Sequence, residues 1–150
     1  MLQVSRKVDY ALRAAVYLAG CDPEQMVSFR EISASQEVPR EFLAKILRSM
    51  VTSGVIQSQR GANGGYRLSR PANEITFLDV IEAADGPIAL NECCEDGIGC
   101  SRAPLCSMEA VWRRAEKAMK DVFANVRLSD LACEDVLKYS LVQRAMELSG

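Results

Sequence analysis

Apolar residues recur at helical spacing through three stretches of the first half of the chain, then give way to short alternating runs. From Ser5 to Gly20 the stripe is Val8, Leu12, Ala15, Val16 and Ala19, with Gly20 as the stop. Cys21 to Gln25 reads as a turn. Ser28 caps a short helix with Phe29, Ile32 and Ala34 on its apolar side, and Glu31 three residues on predicts a capping box. After a break at Gln36–Val38, a third helix runs from Pro39 to Thr52, because proline fits a first helical turn whose N–H is unpaired anyway. Its buried set is Phe42, Leu43, Ile46, Leu47, Met50 and Val51; the outer face carries Arg40, Glu41, Ala44, Lys45, Arg48 and Ser49.

Ser53-Gly54 ends that helix. Val55 to Gln59 then reads as a strand, Arg60 to Gly65 as a turn and Tyr66 to Leu68 as the return strand. Asn63-Gly64 predicts a type I′ turn, whose two central residues both take positive φ. A short helix, a tight turn, a second helix and a basic glycine-rich hairpin together make a winged helix-turn-helix. Gly64-Gly65 is not a nucleotide phosphate loop, since neither the lysine nor the helix that should follow is present.

Pro71 to Asn73 closes this half. Thr76 caps a helix from Phe77 to Ala84 whose stripe is Phe77, Val80, Ile81 and Ala84, and Asp85-Gly86-Pro87 ends it. Residues 86–107 form a loop long enough to suggest function. A long helix follows from about Ser107 to Val126, with Met108, Val111/Trp112, Ala115, Ala118/Met119, Val122 and Val126 in a heptad-like stripe. Ser129 caps a last helix from Asp130 to Tyr139; the tail from Ser140 has no assignment. The expected class is mainly α with a small β-hairpin, organised as a winged helix (1–70), a connecting helix with a cysteine loop (71–107) and a dimerisation helix with a C-terminal helix (108–150). A heptad stripe on so small a chain favours a dimer, since recognition helices work in symmetric pairs.

Composition changes this picture in two places. The 150 residues contain no histidine, which removes imidazole bases, Ser-His or Cys-His nucleophiles and imidazole metal ligands. They contain six cysteines, four of them between 93 and 106. Without a secretory segment at the start, a cytoplasmic location is expected, and there such a cluster points to metal binding or redox sensing rather than disulfides. Net charge is −2, yet residues 1–70 hold ten basic against six acidic groups, +4, and residues 71–150 hold eight against fourteen, −6. One half suits phosphates and the other repels them. No Cys-x-x-Cys pair in a βαβ setting, paired carboxylates or Ser/Lys set suggests an enzyme.

The candidate DNA-contacting residues are Arg6, Ser28, Arg40, Glu41, Ala44, Lys45, Arg60, Asn63 and Gly64. Arg40, Glu41 and Lys45 face the major groove; Arg60 and the amides of Gly61 to Gly65 hold the sugar-phosphate backbone, as do Arg6 and Ser28. In the cysteine loop, Cys94, Cys100 and Cys106 are each separated by five residues. Zinc knuckles favour shorter gaps, so this spacing better suits the larger core of an iron–sulfur cluster. Three thiolates leave a fourth position for Cys93, Glu109 or a carboxylate such as Asp9, from this or a second copy. Cys21 and Cys133 stand alone, as small buried hydrophobes.

Ser5-Arg6-Lys7-Val8-Asp9-Tyr10-Ala11-Leu12-Arg13, Phe42-Leu43-Ala44-Lys45-Ile46-Leu47 and Arg60 to Leu68 resemble the Rrf-type bacterial winged-helix regulators over about residues 1–135. With the three-cysteine loop and the long helix, the chain is similar to the cluster-binding branch that includes IscR, NsrR and RirA. The resemblance implies a homodimeric transcription factor sensing iron, nitric oxide or redox state through an iron–sulfur cluster, with the long helix as dimer helix. It also bears on the fourth ligand. Where IscR-like proteins use a histidine three residues past the last cysteine, this chain has Glu109; where NsrR-like proteins use an aspartate of the other subunit's first helix, it has Asp9. The resemblance therefore favours Asp9 with Cys94, Cys100 and Cys106, and a 4Fe-4S over a 2Fe-2S cluster. The alternative is a zinc-stabilised or cluster-free winged helix acting through protein interaction or thiol oxidation.

Overall fold

The structure, a computed structural model, describes residues 4–94, 100–102 and 105–132. The first helix, α1 (Arg6–Gly20), starts on the Ser5 hydroxyl, which accepts from the Val8 N–H at 3.3 Å. It is the central helix, packed against α3 (Arg40–Thr52), α4 (Phe77–Asp85) and the second strand of the hairpin. Its buried residues are Val8, Ala11, Ala14, Ala15 and Leu18, while Leu12, Val16 and Ala19 are only half-buried. The buried face is thus rotated from the expected stripe. Neighbours press on α1 from more than one side, and alanine allows that close approach where larger side chains would clash.

Helix α2 (Phe29–Ser35) is capped by Ser28, whose hydroxyl accepts from Glu31 N–H at 3.1 Å. The reciprocal half of the expected capping box is absent among the described residues. Glu31 instead accepts from the Tyr17 hydroxyl at 2.9 Å, joining α2 to α1. Only Ile32 of α2 is buried; Phe29 is half-buried and Ala34 exposed. In α3 the buried set contracts to Leu43, Ile46, Leu47 and Met50. Val51 is half-buried, and Phe42 is 46% exposed, edge-on to Tyr10 of α1 with ring centroids 6.1 Å apart. Pro39 is the residue before the helix rather than its first turn.

Both helices of this pair end in the same way. Val38 N–H reaches back to Ser33 O and Val55 N–H to Met50 O, at 3.2 and 3.0 Å, the long bond of a Schellman turn. The left-handed residue in the second turn is Gly54 (φ +78°); in the first it is Glu37 (φ +51°), a side-chain-bearing residue in glycine's place.

Strands β1 (Ile56–Gln59) and β2 (Gly65–Leu68) pair antiparallel with Ile56 opposite Leu68 and Gln59 opposite Gly65, leaving residues 60–64 as the loop. Val27 adds a bridge on the other side of β2, exchanging hydrogen bonds of 2.9 and 2.8 Å with Tyr66. The type I′ expectation fails: positive φ falls on Gly61 and Gly65, not on Asn63 and Gly64. Gly65 is required for a second reason, since a Cβ there would run into the Val27 carbonyl.

Helix α4 carries the complete capping box. Thr76 Oγ1 accepts from Asp79 N–H at 3.0 Å, and Asp79 Oδ2 accepts from Thr76 N–H at 2.8 Å. Gly86, at φ +87°, ends the helix. The long helix, α5 (Glu109–Ala124), has no buried residue. Its expected stripe divides in two. Trp112 and Met119 are half-buried, beside Phe123, which was not in the expected stripe and packs on the core 5.3 Å from Phe77. Met108, Val111, Ala115, Ala118 and Val122 are exposed. After α5 the chain returns to α4 through Phe77 N–H to Val126 O and Leu128 N–H to Ile75 O. Residues 128–132 are helical, with the backbone N–H of Arg127 bonded to Asp130, so Ser129 lies inside this helix rather than capping it. Cys133 and most of the expected last helix lie outside the described residues. Among the described residues no helix is long and apolar enough to cross a membrane.

Candidate nucleic-acid interface and cysteine loop

Ion pairing sorts the ten cations of residues 1–70 into two groups. Lys7 pairs with Asp85, Arg13 with Asp9, Arg67 with Glu24 and Arg70 with Asp79, at 3.0–3.6 Å. Among the described residues Arg6, Arg30, Arg40, Lys45, Arg48 and Arg60 have no acidic partner. These six are exposed and stand at the start of α1, on α2, along α3 and at the hairpin loop. Unneutralised cations on a helix-turn-helix and its wing are the electrostatic footprint of a nucleic-acid surface. Arg30 and Arg48 were not among the residues expected here. For Arg48 the signal was present, since it continues the exposed face of Arg40 and Lys45 one turn on.

Arg40, Glu41, Ala44 and Lys45 are all exposed on α3. Arg40 is also restrained: its guanidinium carbon lies 5.6 Å from the centroid of Phe29, the first residue of α2. Between α3 and the wing lies a groove of about 720 Å³ that brings Ser28, Ala44, Arg60 and Gly64 together with Arg48 and Ser58. Ser28 thus serves as a helix cap and also lines this groove. Not all the wing amides are available, because Gly64 N–H donates to Gly61 O at 3.0 Å. Asn63 is exposed in the loop. Arg6 and Asp9 are not part of this groove.

The first part of the cysteine loop is held to two helices. At its root Asp85 accepts from Ser5 Oγ at 3.2 Å and pairs with Lys7, joining it to α1. On α5, Glu116 accepts from Leu90 N–H at 3.3 Å and from Lys120 at 2.8 Å, and Arg113 donates to Cys93 O at 3.0 Å. The Lys120 hydrogen bond is the main reason Glu116 titrates below its ordinary range. Cys94 is buried, Cys106 and Cys93 half-buried and Cys100 exposed, all as free thiols. Burial pushes the Cys94 thiol up, and its neighbours Cys93 and Glu116 push in the same direction.

Among the described residues no three Cys, Asp or Glu side chains are gathered closely enough to hold a metal ion. Asp9 is engaged with Arg13 at 3.0 Å and Glu109 with Arg113 at 2.8 Å. Cys21 packs half-buried against the core and donates to Tyr17 O at 3.3 Å, close to the structural role expected of it.

Comparison with known proteins agrees with this architecture. A transcriptional regulator assigned to the HTH type from Mycobacterium tuberculosis strain H37Rv is 35% identical over 133 residues, 87% of this chain and 81% of that protein. CymR, the global cysteine regulator of Bacillus subtilis, superposes with a TM-score of 0.71 at 30% identity, covering 89% of this chain and 98% of that one. IscR of T. potens superposes with a TM-score of 0.72 at 25% identity, covering 89% and 88%. The family described as Rrf2, iron-dependent transcriptional regulator, matches residues 4–134. With its winged helix, exposed cations and long outer helix all inside that span, the chain belongs to the Rrf2 family of transcriptional regulators.

Proposed function

We propose that this chain is a cytoplasmic, homodimeric transcriptional regulator that binds operator DNA and senses iron, nitric oxide or redox state through an iron–sulfur cluster. The observation that supports DNA binding most directly is the sorting of cations: the six of the first 70 residues with no acidic partner among the described residues all stand on the winged-helix elements. Arg40, Glu41, Ala44 and Lys45 read the major groove, while Arg6, Ser28, Arg60, Asn63 and Gly64 fix the backbone. The exposed stripe Met108, Val111, Ala115, Ala118 and Val122 repeats in steps of three and four, and a second copy of α5 covers it.

The donor set fits a cluster: Cys94, Cys100 and Cys106 are free thiols on one loop, and thiolate is the usual ligand of iron–sulfur iron. Asp9 of the second copy completes the set in preference to Glu109 or Cys93, and 4Fe-4S is favoured over 2Fe-2S. Ligands of such sites are commonly gathered by the metal itself, so thiols that stand apart do not argue against the assignment. Bound, the cluster supplies iron able to react with the signal. The chain's own residues carry the consequence. Asp85 holds the loop to α1 and Glu116 and Arg113 hold it to α5, so a rearranged loop displaces both helices. The distance between the two α3 helices then changes, and a few kcal/mol of differential affinity switches binding.

A second reading, a cluster-free thiol regulator, draws on the likeness to a cysteine regulator. Anaerobic purification with an absorption spectrum and iron and sulfide counts separates the two. Visible bands with stoichiometric iron and sulfide, lost in Cys100→Ala, support the cluster; a colourless protein with intact thiols refutes it. If loading and removing the cluster leaves DNA affinity unchanged, the sensing role falls.

A further inference from the structure

We propose that the groove between α3 and the wing holds a backbone segment of duplex DNA, with Arg48 binding phosphate from the helix wall opposite Arg60 on the wing wall. The proposal rests on the DNA-binding reading above and adds a residue that reading does not use. The groove is lined by two cations, Arg48 and Arg60, and by no acid. Neither cation has an acidic partner among the described residues. Its neutral lining includes Ser58 and Tyr66, whose hydroxyls have no partner there, and Ser28, whose oxygen accepts from Glu31 N–H while its own proton stays available.

A second groove, of about 370 Å³ on the other side of β2, makes the contrast. It too contains two arginines, Arg67 and Arg70, but Asp22 and Glu24 line it as well. There Arg67 pairs with Glu24, and Arg70 with Asp79, at 3.3 Å each. Charges that neutralise one another within the fold need no outside anion; guanidinium groups left bare across a polar channel do. A guanidinium presents its N–H donors as a planar fork that matches phosphate oxygens, and phosphate contacts fix register without reading sequence. The base-reading face of α3 begins about two turns earlier, at Arg40 and Glu41, so Arg48 lies towards its far end, where the strand passes from helix to wing.

The test uses the full-length chain and a short duplex of mixed sequence, with binding followed by fluorescence anisotropy across a salt series. Each phosphate contact contributes about 0.9 to the slope of log affinity against log salt. Arg48→Ala is expected to weaken binding several-fold and lower that slope by about 1 for each subunit engaged, leaving sequence preference in a selected pool unchanged. Arg48→Lys keeps the slope, and Arg48→Ala/Arg60→Ala lowers it by about 2 for each subunit engaged. Arg114→Ala, which removes an exposed cation on α5 with no acidic partner among the described residues, leaves it unchanged. An unchanged slope in Arg48→Ala overturns the proposal while leaving the DNA-binding reading intact. So does an equal drop in Arg114→Ala, which makes the effect one of total charge, or an equal loss on a single strand of the same length. A wild-type chain with no salt-dependent duplex binding overturns both. Thermal melting of each variant confirms that an affinity change is not unfolding.

Discussion

The winged helix and the cysteine loop with α5 are stabilised by different means. In the winged helix, Leu43, Ile46, Leu47 and Met50 of α3 meet Ala11, Ala14 and Ala15 of α1 in one core cluster, all at most 1% exposed. Helix α5 buries nothing completely, and its link to the cysteine loop runs through a few polar bonds of Glu116 and Arg113, with Lys120 bracing Glu116. A single hydrogen bond of this kind contributes only about 0.5–1.5 kcal/mol net. The winged helix has a fixed shape; the cysteine loop and α5 are attached by contacts a small change can rearrange. A regulator needs that asymmetry, because elements that move are drawn from the least stable part of a structure.

Truncation in each half gives the largest difference. Leu47→Ala leaves a cavity in the shared core and is expected to cost about 2–5 kcal/mol in urea unfolding. Val122→Ala, on the exposed face of α5, costs under about 0.5 kcal/mol in dilute protein. Equal losses would erase the contrast. The two Schellman turns sharpen it within the reading half. Gly54→Ala places a side chain at positive φ and costs about 1–2 kcal/mol, while Glu37→Gly relieves the same strain and gains less than about 1 kcal/mol after glycine's backbone entropy. Thermal denaturation of both variants tests the pair.

The smallest effect lies in the loop clamp. Glu116 titrates below its ordinary value of 4.5 when folded, chiefly because Lys120 hydrogen-bonds its carboxylate. Its contribution is therefore present above the unfolded value and disappears as pH falls through the lower folded one. Glu116→Gln is expected to melt below wild type near neutrality, with the gap closing in acid. A gap that persists there would mean that Glu116 acts through packing alone.

Most of the winged helix was legible in the sequence because its signals are local. Caps at Ser28 and Thr76, the stop at Gly54 and the helical spacing of Leu43, Ile46, Leu47 and Met50 each report on a few adjacent residues. What the pattern missed depends on partners distant along the chain. Phe42 is as apolar as Leu43, but it turns to Tyr10 at the surface. Glu31 gives its carboxylate to Tyr17 rather than to its own cap. Asn63-Gly64 has the composition of a tight hairpin, yet the positive φ values fall two residues earlier and one later, where Gly65 passes the Val27 carbonyl. The candidate DNA face was partly legible for a similar reason. Charge is visible in a sequence, but which charges are neutralised by Glu24, Asp79 or Asp85 is not. The even spacing of Cys94, Cys100 and Cys106 names a donor set without fixing where the thiols stand.

The bridge between Val27 and Tyr66 limits how any signal can reach DNA. It stitches the hairpin to the residue just before Ser28, so the wing cannot swing while α2 stays still. Each reading head is then a single rigid tool, and retuning it from inside would mean breaking paired backbone. In the dimer proposed above, control would be left with the gap between two such tools, set like the jaws of calipers.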